Sequence, residues 1–133
     1  ALNHPNQGNG YQFSENGKHF VFLTDNELGF RHEGSLAYED YVAFCQNADL
    51  LIHDAEYRDE EYPKRIGWGH STMEQAVNLA LDAGVKQLGL FHHNQDRFDT
   101  AIDDMVADCR RIIAEKHSPL QCFAVYQGMD LSL

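Results

Sequence analysis

Apolar positions recur along this chain with two different periods, and the switches between them mark out its elements. Tyr11 to Ser14 and Lys18 to Thr24 are aromatic and β-branched runs on either side of Glu15-Asn16-Gly17. Asn-Gly between two such runs is a strong local hairpin signal, so the chain is expected to open with an antiparallel strand pair. From about Leu36 to Asn47 the apolar residues Tyr38, Val42 and Cys45 recur at helical spacing, and Asp49 to His53 then reads as a short buried strand. Ser71 followed by Glu74 has the form of a capping box, and Met73, Val77, Ala80 and Leu81 form one stripe that stops at Gly84. Val85 to Phe91 predicts another strand. Ile102, Val106, Cys109 and Ile113 predict a helix from about Thr100 to Lys116, ahead of Pro119, and Gln121 to Tyr126 a last strand that can resume after Gly128. The order is two strands followed by three helix-strand units, an α/β (α+β) chain with no internal repeat and no linker.

Composition narrows the picture. The chain has 133 residues, 43% of them apolar, which suffices for one cored domain or part of one. Its formal net charge of -11 argues against a broad nucleic-acid or anionic-membrane footprint, because phosphate binding rests on Lys and Arg. Cys45, Cys109 and Cys122 are odd in number and lie in apolar patterns, so buried thiols in a reducing compartment, the cytoplasm, are expected. No stretch is long enough to span a bilayer, and the opening Ala-Leu-Asn-His-Pro reads as interior sequence rather than a leader.

Three apolar runs end at polar groups able to bind metal: Phe20 to Asp25, Leu50 to Asp54, and Leu88 to His93. In α/β proteins reactive groups gather beyond the carboxyl ends of strands, which would put Asp25, Asp54 and His92 on one rim. Adjacent residues at a strand end point oppositely, so only one of His92 and His93 can face that rim. His4 precedes Pro5, which biases it toward extended backbone. His70 follows Gly67-Trp68-Gly69 directly ahead of the capped helix, whereas His19, His32 and His117 have no such placement and are expected in solvent. The long loop from Tyr57 to Gly69 is aromatic and charged, as loops at active sites often are.

Together these segments resemble the carboxyl-terminal half of a metallo-β-lactamase-fold hydrolase of the ribonuclease Z and phosphodiesterase branch. Leu2-Asn3-His4-Pro5 with Gly10-Tyr11 resembles that branch's third metal motif, and Leu23-Thr24-Asp25 its fourth. Leu51-Ile52-His53-Asp54-Ala55 resembles its His-Glu-Ala-Thr segment, with Asp at position 54 in place of Glu, and Gly69-His70-Ser71-Thr72 resembles the His-Ser-Thr partner. Leu90-Phe91-His92 resembles the last metal motif and Ala124 to Met129 the closing strand.

The resemblance implies one half of an αββα sandwich across residues 1–133, a mixed sheet with flanking helices. The family's His-x-His-x-Asp-His motif is not in this chain, so the amino-terminal half is expected elsewhere, or a homo-oligomer partner in its place. By the same resemblance His4, Asp25 and His92 are metal ligands, with Asp25 bridging two divalent ions: zinc or manganese, with iron as a third option. Asp54 and His70 form the catalytic pair that assists the leaving group. A small or cyclic phosphodiester is the expected substrate and nucleic acid is not, because the tRNA-grasping arm of ribonuclease Z commonly lies between segments that here meet across one hairpin. Two rivals stand beside this expectation: a non-catalytic half-domain serving as an interaction or structural module, and a doubly wound receiver or nucleotide-binding domain. The second lacks a glycine-rich phosphate loop after its first strand.

Overall fold

In the computed structural model, which describes residues 1–133, five strands form one sheet in sequence order. Strand β1 (Tyr11–Glu15) pairs antiparallel with β2 (Lys18–Leu23), and β3 (Leu50–Asp54), β4 (Gln87–Phe91) and β5 (Gln121–Ala124) follow in parallel. The predicted hairpin forms because Asn16 and Gly17 take φ of 50° and 75°, the left-handed pair that a tight primed turn requires. Three helices, α1 (Tyr38–Phe44), α2 (Met73–Asp82) and α3 (Asp99–Glu115), connect the parallel strands. Strands added in sequence order with right-handed crossovers place successive helices on one face of the sheet, and α2 accordingly packs against both α1 and α3.

Between helices and sheet lies a core of Val21, Leu23, Leu51, Leu88 and Leu90 from the strands and Met73, Val77, Ala80, Met105, Cys109 and Ile113 from the helices. All three cysteines are buried and free, as expected. The opposite face of the sheet carries a row of rings, Tyr11, Phe13, Phe20, Phe22 and Phe91, with successive centroids 5.5 to 6.3 Å apart. Tyr11 and Phe13 are more than half exposed there.

The sequence reading needs correction at several places. Helix α1 is shorter than the expected Leu36 to Asn47; the expected Tyr38 and Val42 pack half-buried against the core, Cys45 is buried at the cap, and Tyr41 is buried with them. The capping box of α2 is shifted by one residue. Thr72 is the N-cap, accepting from Gln75 N–H while the Gln75 side chain accepts from Thr72 N–H, both at 3.1 Å. Ser71 is thereby freed for a different task, and no strand resumes after Gly128. No helix is long and apolar enough to cross a membrane.

Candidate metal centre

Sheet register assembles the site. Leu23 is paired with His53 and Asp54 with Phe91, so the residues just past β2, β3 and β4 meet on one rim. His4 reaches that rim through a short backbone exchange: Asn3 N–H donates to Asn26 Oδ1 at 2.8 Å, and Glu27 N–H donates to the Asn3 carbonyl at 2.7 Å. Asn6 N–H occupies His4 Nδ1 at 3.2 Å, which turns Nε2 inward.

Asp25 lies between two imidazoles. Its Oδ2 is 3.9 Å from His4 Nε2 and its Oδ1 is 3.6 Å from His92 Nε2. Each carboxylate oxygen thus faces a different ring. His92 follows β4 with a φ of 53°, a left-handed conformation that a non-glycine residue adopts at a cost of about 1–3 kcal/mol, and such cost is held mainly at functional sites. Its contact with Glu56 holds the ring's pKa up at about 9 despite burial, with Asp25 and Asp54 adding to the effect. His93 turns away and is pushed down by burial, so one histidine of the pair faces the rim, as the alternation of a strand end predicts.

Asp54 is fully buried, and three donors point at its carboxylate. Asn26 N–H reaches Oδ2 at 2.7 Å, Ser71 N–H reaches Oδ1 at 2.8 Å, and His70 Nδ1 stands 3.3 Å from Oδ2. Burial works to lower the His70 pKa, and the hydrogen bond and charge of Asp54, with Glu56 behind them, raise it above its ordinary value. The His70 ring stacks on His92, with centroids 4.4 Å apart and planes 15° from parallel. Ser71, displaced from the cap, donates to the Asn26 carbonyl at 2.6 Å and accepts from Leu28 N–H at 2.9 Å, tying the start of α2 to the segment after β2.

All five residues expected at the site, His4, Asp25, Asp54, His70 and His92, therefore come together. His53 does not join them: it is fully buried, and it stands 2.7 Å from the Asp54 carbonyl and 3.1 Å from the Asn26 side chain. Burial lowers its pKa against the opposing charge of Asp54.

Two carboxylates escaped sequence reasoning. Glu56 stands 3.3 Å from His92 Nδ1 and 3.6 Å from His70 Nε2. Glu27, fully buried, accepts from Tyr62 Oη, Gly67 N–H, Gly69 N–H and His32 Nε2 at 2.6 to 2.9 Å. His32 was expected in solvent and is instead held on this carboxylate, because the segment after β2 folds back under the loop at 62–69. The run Asp25-Asn26-Glu27 places a carboxylate beside the rim but carries no sign of its distant partners.

The donor set suits divalent cations. His4, Asp25 and His70, and likewise Glu56, His70 and His92, each present ligand atoms within 4.8 Å of one another. Imidazole nitrogen with carboxylate oxygen is the combination favoured by zinc and manganese. The buried Nδ1 of His92 has no well-aligned hydrogen-bond partner, so the cluster is convergent without being closed by its own bonds.

Comparison with known proteins identifies the family and the fold. A family model described as a β-lactamase superfamily domain matches residues 2–93. A curated ribonuclease Z from Brevibacillus brevis is 34% identical over 100 residues, covering 72% of this chain and 29% of that protein. The metallo-β-lactamase fold protein YhfI from Bacillus subtilis superposes with a TM-score of 0.75 at 17% identity, over 96% of this chain and 44% of that one. The short form of human tRNase Z gives 0.62 at 25% identity, over 92% and 37%. The chain spans less than a third of the length of the curated relatives it matches.

These relatives overturn one expectation. The chain was expected to act on a small phosphodiester, with nucleic acid set aside, yet the curated relatives are ribonucleases and the human one is a tRNase. The charge argument fails for a physical reason. A net charge of -11 sums over this chain alone, a fraction of those relatives, while phosphate affinity follows local cations, bound metals included.

Proposed function

Because this chain belongs to the β-lactamase superfamily, we propose that it carries the carboxyl-terminal part of a metal-dependent hydrolase acting on phosphodiester bonds in RNA. The observation that carries this reading is Asp25, whose two oxygens face His4 and His92 separately. His4, Asp25 and His92 would hold two divalent ions, zinc or manganese. When bound, such ions neutralise phosphoryl oxygens and lower the pKa of water to near neutrality.

The chain's own residues account for the rest of the chemistry. Asp54, pinned by the backbone N–H groups of Asn26 and Ser71, keeps a proton on His70 Nδ1 and fixes the ring's orientation. Asp54, with Glu56 behind it, raises the His70 pKa against the effect of burial and so favours the protonated ring, whose Nε2 would be the atom that delivers a proton to the leaving oxygen. Glu27 anchors Gly67 and Gly69, and so sets the loop from which His70 emerges.

The exposed row of rings on the far face of the sheet supports the reading of residues 1–133 as one half of an αββα sandwich, since a second layer would cover it. That layer would bring the remaining ligands, from the same protein or from a homo-oligomer partner. Three free buried thiols support a reducing, cytoplasmic setting.

The test is metal content by elemental analysis after size-exclusion chromatography, paired with cleavage of a short RNA, in the protein that carries this chain. About two equivalents of zinc or manganese with RNA hydrolysis is expected, and His92→Ala should remove metal and activity together. A protein without metal or hydrolysis would instead be the structural module. Unchanged metal content and hydrolysis in His92→Ala would refute the ligand assignment.

A further inference from the structure

The mechanism above leaves Glu56 without a task, although it touches both imidazoles of the site. We propose that Glu56 is the positioning carboxylate of the centre: it holds Nδ1 of His92, so that Nε2 of the same ring faces Asp25, and it borders Nε2 of His70. This inference rests on the metal-hydrolase reading and deepens it.

Geometry assigns the two nitrogens of His92 to different partners. Nε2 stands 3.6 Å from Asp25 Oδ1, and Nδ1 stands 3.3 Å from Glu56 Oε2. A neutral imidazole carries one proton, and a metal needs the lone pair of the other nitrogen. A carboxylate at Nδ1 keeps the proton there and leaves Nε2 free to ligate. Ligating histidines are commonly oriented in this way by an outer acceptor. The buried Nδ1 of His92 makes no other hydrogen bond, and although its alignment on Glu56 is loose, the Oε2 atom at 3.3 Å is the carboxylate oxygen beside it.

Glu56 is itself immobilised. Asn94 Nδ2 donates to its Oε1 at 3.2 Å, and Arg97 Nη2 donates to its backbone carbonyl at 3.1 Å while also pairing with Glu61. The next residue back, Ala55, donates its N–H to the Phe91 carbonyl at 2.9 Å, which keeps the end of β3 beside the end of β4. With Oε1 occupied, Oε2 is left for the rings, and it lies 3.3 Å from one and 3.6 Å from the other. His70 is arranged in the opposite sense, with Nδ1 on Asp54 and Nε2 beside Glu56. One carboxylate oxygen therefore faces a proposed ligand and the proposed proton donor at once, across rings stacked at 4.4 Å.

The experiment measures zinc affinity by competition with a chromophoric chelator, and reads the His92 tautomer in the zinc-loaded protein by long-range proton-nitrogen NMR on 15N-histidine. Wild type should carry the His92 proton on Nδ1. Glu56→Leu should lose about 10–100-fold in zinc affinity and the fixed tautomer, the range expected when an outer acceptor is removed. Glu56→Gln retains an acceptor oxygen and the volume, so it should fall between the two, and it decides the matter if Glu56→Leu does not fold. Zinc affinity of Glu56→Gln or a folded Glu56→Leu equal to wild type, or a wild-type His92 proton on Nε2, overturns the inference. Asp25→Asn and His92→Ala separate the two levels. If they lose zinc while the Glu56 variants keep it, only the role of Glu56 fails. If they too bind zinc like wild type, the metal-hydrolase reading fails and takes this inference with it.

Discussion

Replacing Glu27 by Gln puts the architecture around His70 to a quantitative test. The carboxylate is fully buried and accepts four hydrogen bonds: Tyr62 Oη at 2.6 Å and Gly67 N–H at 2.7 Å on Oε1, Gly69 N–H at 2.7 Å and His32 Nε2 at 2.9 Å on Oε2. A Gln carboxamide has the same shape but only one oxygen. Its NH2 must face either Gly67 N–H with Tyr62 or Gly69 N–H with His32, setting donor against donor. An orphaned buried donor costs about 1–3 kcal/mol, and the surviving bonds drop from charge-assisted to neutral strength. Relief from burying a charge offsets part of this, which leaves a net loss of about 2–4 kcal/mol. Urea unfolding followed by far-UV circular dichroism measures that loss. The chain's single tryptophan, Trp68, lies between the two anchored glycines, so its fluorescence reports the loop directly. A Glu27→Gln protein within about 0.5 kcal/mol of wild type, with unaltered Trp68 emission, would refute the anchoring argument.

Gly69 has a φ of 99°, and a Cβ there would lie 2.2 Å from His4 Cδ2, so Gly69→Ala should displace His4 and lower zinc affinity at least about tenfold, read by chelator competition. Glu74 is raised to about 7 by burial and by Asp59 and Glu60. An acid whose pKa rises on folding binds more protons folded than unfolded, so its contribution to stability declines as pH climbs from about 4.5 to 7. Glu74→Gln should therefore stabilise the protein at pH 7.5 by roughly 1 kcal/mol, discounted for its partial exposure, and flatten the pH profile in that window by thermal melts. Asp49 is held well below the ordinary carboxylate range by Lys86, then by His19 N–H and Lys18. Its support is complete above the unfolded pKa of about 4 and is lost as pH falls through lower values, so Asp49→Asn should weaken the protein at neutral pH and shrink its acid sensitivity in urea titrations at pH 7 and pH 3.

The hairpin and the last two helices were legible because their signals are local. Asn16-Gly17 needs no distant partner to turn, and the stripe of Val106, Cys109 and Ile113 declares its buried face by spacing alone. His4, Asp25, Asp54, His70 and His92 were legible because each stands at a strand end or in an ordered motif. What stayed hidden depends on contacts between remote segments. Glu27 bonds residues 35 to 42 positions away, and nothing in its neighbourhood foretells Tyr62 or Gly69. Glu56 carries no local signal, and only the register of β3 on β4 places it against His92. The cap of α2 moved by one residue because Ser71 is drawn to the Asn26 carbonyl, a long-range bond that outcompetes the local motif.

The in-order parallel sheet has a consequence for how this molecule can change over time. The site sits at the carboxyl ends of β2, β3 and β4, while the helices return the chain to the opposite end through turns at Gln46 to Asp49, Ala83 to Lys86 and Lys116 to Leu120. Insertions at those returns lengthen the molecule away from its chemistry and leave the ladder that aligns Asp25, Asp54 and His92 untouched. Insertions between Arg58 and Glu61, ahead of the Tyr62, Gly67 and Gly69 contacts to Glu27 that set His70, instead rewrite the rim beside the centre. One scaffold can thus exchange its substrates by editing a single edge, while a one-residue slip within any of the three strands would turn its reactive group to the wrong face.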